Sequence, residues 1–264
     1  AVGKSSLGST TTGANNTAVG KSALAANTTG AGNTVVGKDA AIANTTAANN
    51  TIVGFEAFGT NTTGHSNVAI GKATMYGNTT GDANTAAGYA ALSGNTTADN
   101  NTAFGAYALQ VNTTGANNVA IGSLTLDAAT TATGNTAVGQ GSMSTTTTGA
   151  ANVAMGLSSL YSNTTGANNT ALGYSSLFAN TTGGNNIAVG FNTLKANTGS
   201  YSNVAVGVRA LAAFNVTSAT STYNVAVGED AGALMTTGVQ NTLIGGLAGD
   251  AMTTAGGNVG VGYK

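Results

Sequence analysis

Apolar and polar positions along this chain recur on a count of seventeen. The phrase Asn16-Thr-Ala-Val-Gly20 returns as Asn33-Thr-Val-Val-Gly37, Asn118-Val-Ala-Ile-Gly122, Asn186-Ile-Ala-Val-Gly190 and Asn258-Val-Gly-Val-Gly262. From Gly3 its closing glycine falls at Gly20, Gly37, Gly54, Gly71, Gly88, Gly105, Gly122, Gly139, Gly156, Gly173, Gly190 and Gly207, each 17 residues after the last. One step of 21 then leads to Gly228, and two more of 17 to Gly245 and Gly262. Self-similarity at such a period marks stacked structural units, each too short to bury its own apolar face.

Within the frame, the residue before the glycine is large and apolar (Val19, Val53, Ile70, Phe104, Met155, Leu172, Ile244). Two residues earlier stands a β-branched side chain (Thr17, Thr51, Val68, Val119, Ile187, Val204), and alanine lies between (Ala18, Ala69, Ala120, Ala171, Ala226). Period-2 spacing puts the outer pair on one face of a short strand and the alanine on the other. We expect the outer pair to fill the coil interior and the alanine column, which never admits a charge, to pack against a neighbouring chain. Four residues after the glycine comes a second apolar column (Leu24, Phe58, Met75, Leu92, Leu109, Leu160), read as a second strand or corner; Ala41 is its small exception. Asn-Thr-Thr-Gly follows, as at Asn27 to Gly30, Asn61 to Gly64 and Asn163 to Gly166. That is turn chemistry, with asparagine bonding its own backbone and glycine accepting positive φ. A helical unit is excluded, since each glycine costs a helix about 1 kcal/mol relative to alanine.

The asparagine that opens the phrase is present in every complete copy: Asn16, Asn33, Asn50, Asn67, Asn84, Asn101, Asn118, Asn135, Asn152, Asn169, Asn186, Asn203, Asn224, Asn241 and Asn258. Strands stacked about 4.8 Å apart would bring these amides into hydrogen-bonding register as a ladder. The fold expected is therefore all-β, a parallel β-solenoid of about sixteen 17-residue coils, roughly 75 Å long at strand spacing. It occupies 1–264 as a single repeat domain, with regular coils over 1–207, a four-residue insertion within 208–227 and less regular coils over 228–264, where Gly232 and Gly249 replace the leucine.

Composition narrows the function more than the fold. Forty glycines, no proline, no cysteine, no tryptophan and fifteen charged residues lie far from the globular average of about a quarter charged. A net charge of -1 offers no electrostatic case for nucleic acid. No apolar run reaches the roughly eighteen residues of a membrane-spanning helix. Charge obeys the frame: ten of the fifteen charged residues, among them Lys4, Lys21, Lys38, Glu56, Lys72 and Arg209, lie one or two places after the glycine. Those places are expected to be solvated corners. The chain opens in mid-phrase at Ala1-Val2-Gly3, without an initiator methionine, as a processed or partial chain would.

The phrase as it stands in Asn67-Val-Ala-Ile-Gly71 and Asn203-Val-Ala-Val-Gly207 resembles the head repeats of trimeric autotransporter adhesins. The longer unit, with Ala-Leu-x-x-Asn-Thr-Thr-Gly between phrases, is similar to repeats of phage tail fibres and related bacterial surface proteins. The resemblance covers the whole chain. It implies a left-handed β-roll, a homotrimer and an extracellular place on a virion tail fibre or a bacterial cell surface. The spacing of 17 exceeds that of the usual adhesin head, so a larger coil cross-section is expected.

Candidate chemistry is sparse. His65, the one histidine, sits in a turn with no cysteine or clustered carboxylate beside it, and neither a metal nor a cofactor is expected. Asp39, Glu56, Asp82 and Asp99 stand in different coils, which does not indicate an acid/base pair, and no enzymatic activity is expected. Asn27, Asn44, Asn61, Asn78, Asn95, Asn112, Asn163 and Asn180 head formal glycosylation acceptors that turn chemistry already explains. Phe55, Tyr89, Tyr107, Tyr174 and Phe191 gather near the charged corner as candidates for sugar contact, or as isolated surface rings. Threonine pairs such as Thr28-Thr29 suggest an ice-binding rank, but adjacent residues face opposite ways and each pair offers one outward rank. The expectation is a non-catalytic shaft or head segment of an extracellular fibre whose partner is a further copy of itself, with a cell-surface glycan as the external ligand to consider. The alternatives are a self-polymerising filament subunit and an ice-binding solenoid.

Overall fold

The computed structural model describes residues 1–264, and its regular structure is all β. Fifteen strands of three residues form one parallel sheet in chain order, the sheet of a β-solenoid of about fourteen turns. The first copy of the phrase adds only an isolated bridge from Val2 to Val19, so the sixteen expected coils yield fifteen strands. Two compact units are distinguished, Ala1–Thr133 and Gly134–Lys264.

The first unit holds β1 (Thr17–Val19), β2 (Thr34–Val36), β3 (Thr51–Val53), β4 (Val68–Ile70), β5 (Thr85–Ala87), β6 (Thr102–Phe104) and β7 (Val119–Ile121). Pairing repeats residue for residue: Thr17 faces Thr34, Ala18 faces Val35, and Val19 faces Val36. The second holds β8 (Thr136–Val138), β9 (Val153–Met155), β10 (Thr170–Leu172), β11 (Ile187–Val189), β12 (Val204–Val206), β13 (Val225–Val227), β14 (Thr242–Ile244) and β15 (Val259–Val261). There the 21-residue step leaves the register intact, with Val204 on Val225 and Ala205 on Ala226.

The two faces of each strand are the reverse of the expectation. Ala18 is fully buried, while Thr17 and Val19 are exposed, Val19 at 39%. The same pattern holds in β4, β7 and β9. The reason is the space available. A seventeen-residue coil closed on itself has a thin interior, already occupied by a leucine and two asparagines per turn, and only a small side chain fits from the strand. Where the strand residue is larger, the corner residue shrinks. Val35 and Ile52 are buried next to the small Ala41, and Leu243 is buried between Gly232 and Gly249.

The second apolar column is a corner and not a strand. Ser22 and Leu24 have φ of 55° and 54°, and Ala90 and Leu92 of 52° and 53°, so the chain alternates through the left-handed region. Bulky β-branched residues are outliers there. That excludes Val, Ile and Thr from a column otherwise made of Leu, Met and Phe with Ala and Gly exceptions. Within 208–227 the insertion emerges at the surface, with Thr217 to Ser221 exposed and Phe214 buried beneath it.

Candidate functional site

Each phrase asparagine sits just before its strand, with the side chain turned inward. In the first unit the Asn33 backbone N–H donates to Asn16 Oδ1 at 2.9 Å and the Asn33 amide donates to the same oxygen at 3.1 Å. Its amide also reaches the Ala47 carbonyl at 2.9 Å. The second unit repeats this: Asn169 N–H and Nδ2 both donate to Asn152 Oδ1, at 2.9 and 3.1 Å, and Nδ2 to the Gly183 carbonyl at 2.9 Å. The ladder is thus a mixed one, in which the side-chain oxygens accept the next coil's backbone N–H and, in many rungs, its amide too, whereas Asn33, Asn50 and Asn84 accept the backbone N–H alone from Asn50, Asn67 and Asn101.

A second ladder was not legible as such. Asn27, Asn44, Asn61, Asn78, Asn95 and Asn112, read from the sequence as turn residues, are buried. Asn44 donates to Asn27 Oδ1 at 3.1 Å, Asn61 to Asn44 at 3.0 Å and Asn95 to Asn78 at 2.7 Å, and each also bonds the carbonyl three residues on, as Asn44 does to Ala47. In the second unit Asn180 and Asn197 continue the pattern from Asn163. The signal lay in the exceptions, since the same frame position holds Ala129, Phe214 and Met235, which a solvated turn would not favour. Those amides are engaged on both sides in the interior, so the folded chain offers no free nitrogen to a glycan at these acceptors.

The closing glycines are required twice over. Gly20, Gly54, Gly122 and Gly190 have φ of 136°, 146°, 133° and 137°, a region that side chains rarely adopt. At Gly54 an added Cβ would also meet the Gly71 carbonyl oxygen at 2.2 Å. Adjacent coils touch backbone to backbone along this column.

Outside the coil, the position after the glycine forms the most chemically distinctive surface. In the first unit Lys38 Nζ lies 4.9 Å from the Phe55 ring centre, and Lys72 Nζ lies 5.7 Å from the rings of both Phe55 and Tyr89. Tyr89 meets Tyr107 edge-on at 5.1 Å. In the second unit Tyr174 and Phe191 stack at 5.4 Å with 14° between planes, and Tyr161 stacks on Phe178 at 5.3 Å. The five sugar-contact candidates therefore belong to two separate groups. Partial desolvation, then the neighbouring Tyr89 phenol, pushes the Tyr107 phenol above the ordinary tyrosine range.

Other candidates are structural in their surroundings. Ala48 N–H donates to His65 Nδ1 at 3.0 Å, His65 N–H to Asp82 Oδ1 at 2.6 Å, and Asp82 N–H to Asp99 Oδ1 at 2.7 Å, so these side chains cap backbone from coil to coil. No three His, Asp or Glu side chains converge. Of each threonine pair, Thr28 donates its hydroxyl to the Thr45 carbonyl at 3.1 Å and Thr29 is exposed. In the second unit Arg209 Nε donates to Asp230 Oδ1 at 2.7 Å, and Nη2 donates to Oδ2, which holds the guanidinium above its ordinary value. This pair borders an open cleft of about 520 Å³ reaching Leu234 and Asp250.

No protein-family description, curated protein or solved structure matches this chain. The columns themselves therefore carry the functional reading. They offer repeated contact.

Proposed function

We propose that the chain is a non-catalytic structural segment of an extracellular fibre, a shaft or head built from several copies of itself. The observation that carries this is the outward strand face. The column before each glycine, from Val19 through Ile70, Ile121 and Met155 to Ile244, holds no charged residue, and those five are 39 to 45% exposed. Within each unit, a row of uncharged apolar side chains of this kind marks a surface that another molecule covers. It replaces the alanine column as the proposed contact between chains, and a trimer is the assembly that the repeat resemblance favours. A virion tail fibre or a bacterial surface appendage is the setting consistent with that assembly.

Sedimentation and electron microscopy of the purified chain test the reading. Discrete small oligomers that dissociate on Ile70→Lys together with Ile121→Lys, with β circular dichroism retained, support it. Rods of indefinite length support a self-polymerising filament, and a monomer at all concentrations overturns both.

A further inference from the structure

The first unit keeps all its positive side chains on one edge. Lys4, Lys21, Lys38 and Lys72 all follow a closing glycine, and residues 1–133 contain no arginine. Parallel register places successive members of that column one strand spacing apart, about 4.8 Å. The carboxylates are distributed differently. Asp82 and Asp99 lie on another corner, where they accept backbone N–H groups, and only Asp39 and Glu56, each two places after a closing glycine, share the edge with the four lysines, Asp39 paired with Lys38 at 3.1 Å. The edge therefore carries excess positive charge although the unit holds five carboxylates against four lysines. Two of the ammonium groups are also held in place. Phe55 stands between Lys38 and Lys72, and Tyr89 takes the far side of Lys72. A cation resting on a ring face loses less side-chain freedom on binding and keeps N–H groups to donate outward.

We propose that this edge is a linear binding site for an acidic polysaccharide, a chain of sugars bearing carboxylates at regular intervals. The geometry is that of a single file. One row of cations interleaved with rings suits a flexible linear polyanion whose charges arrive one by one, each accepted as a charge-assisted hydrogen bond. Tyr89, 45% exposed, presents an amphipathic ring between the charges, apolar for a sugar's C–H face and polar at its hydroxyl. A nucleic-acid duplex needs a broad basic surface, which a chain of net charge -1 does not offer. Tyr174 and Phe191 of the second unit have no lysine in their column and form no part of the site.

The inference stands apart from the fibre reading, since a monomer could bind through this edge and an assembled fibre could fail to. Calorimetric titration of the whole chain with polygalacturonate, neutral dextran and single-stranded DNA at low salt tests it. Binding of polygalacturonate and not dextran is expected. The triple variant Lys21→Ala, Lys38→Ala, Lys72→Ala should weaken it about tenfold or more, with circular dichroism and melting temperature retained because all three side chains are exposed. Phe55→Ala, which removes the support and no charge, should weaken it about threefold, and Lys195→Ala in the second unit should leave it unchanged. No polygalacturonate binding, binding insensitive to the triple variant, or tighter binding of DNA would overturn the proposal.

Discussion

Leu243 and Gly232 share one space: the Cβ that Gly232 lacks would lie 2.9 Å from Leu243 Cδ1. In most coils the strand residue is alanine and the corner residue leucine, and here the sizes are exchanged. Leu243→Ala should cost about 2–5 kcal/mol through the cavity it leaves. Gly232→Leu alone should cost about 1–3 kcal/mol by overpacking. Its backbone does not forbid leucine, since φ is 60° at Gly232 and 52° at Leu211 on the same corner. The double variant restores the common arrangement, and urea denaturation of the four species should give a favourable coupling of about 1 kcal/mol or more. Simple additivity would mean that the two positions do not trade volume.

Asn112 Oδ1 is buried without a hydrogen-bond partner, and the residue seventeen places on is Ala129. Every preceding member of that ladder meets an asparagine there. Ala129→Asn should supply the missing donor and raise stability by about 1 kcal/mol. An unchanged or lower melting temperature would contradict the ladder as a source of stability.

Asn101 receives the Asn118 N–H at 3.0 Å and donates to the Gly115 carbonyl at 2.9 Å. Asn101→Leu keeps the volume and takes the acceptor from the Asn118 N–H in the interior, at about 1–3 kcal/mol, while the Gly115 carbonyl keeps its bond from the Asn112 amide at 2.9 Å. Thermal unfolding should show the loss. A variant as stable as the parent would reduce these asparagines to turn residues.

Two glycines predict opposite outcomes. Gly54→Ala forces a side chain into φ of 146° and onto the Gly71 carbonyl, and should leave little folded protein. Gly134, at φ 67° with nothing within 4 Å of an added Cβ, occupies the frame position of Asn49 and Asn100, at φ 60° and 59°. Gly134→Asn should therefore fold and melt close to the parent, as circular dichroism will show.

The raised Tyr107 value has a defined sign. The folded chain holds this proton longer than the unfolded chain, so the stabilisation is complete below the ordinary tyrosine range and is lost as pH rises through the raised value. Titration followed by NMR on labelled tyrosine should show Tyr107 ionising above the ordinary tyrosine range, and Tyr89→Phe should bring it down. Ionisation of Tyr107 within the ordinary range, unmoved by Tyr89→Phe, would refute the contact.

Period, strand position, parallel register and the phrase ladder were all legible, because each rests on spacing alone. The facing of the strand was not. Alternation separates Ala18 from Thr17 and Val19 but does not say which side is inside, and that depends on how much of the narrow interior Leu24, Asn27 and Asn33 already occupy. The left-handed corner was hidden for a related reason: the absence of Val, Ile and Thr from the Leu24 column is its trace, and an absence is easily taken for a preference for leucine. On the outer edge, the positions of Lys38, Phe55 and Lys72 were readable, whereas their mutual seating depends on side-chain conformations that spacing does not fix.

Most backbone hydrogen bonds between coils close a loop of about one coil, as from Thr28 N–H to the Thr45 carbonyl or Thr34 N–H to the Asn50 carbonyl. Any coil can therefore stand beside almost any other, and gain or loss of seventeen residues by slippage of the coding repeat leaves every donor an acceptor. The same interchangeability is a hazard during folding, because a chain displaced by one whole coil still satisfies its backbone. What tells the coils apart is the short set of exceptions: Ala41 with its larger neighbours, the gap at Ala129, Phe214 under the inserted loop, and Leu243 between two glycines. These irregular positions number the coils.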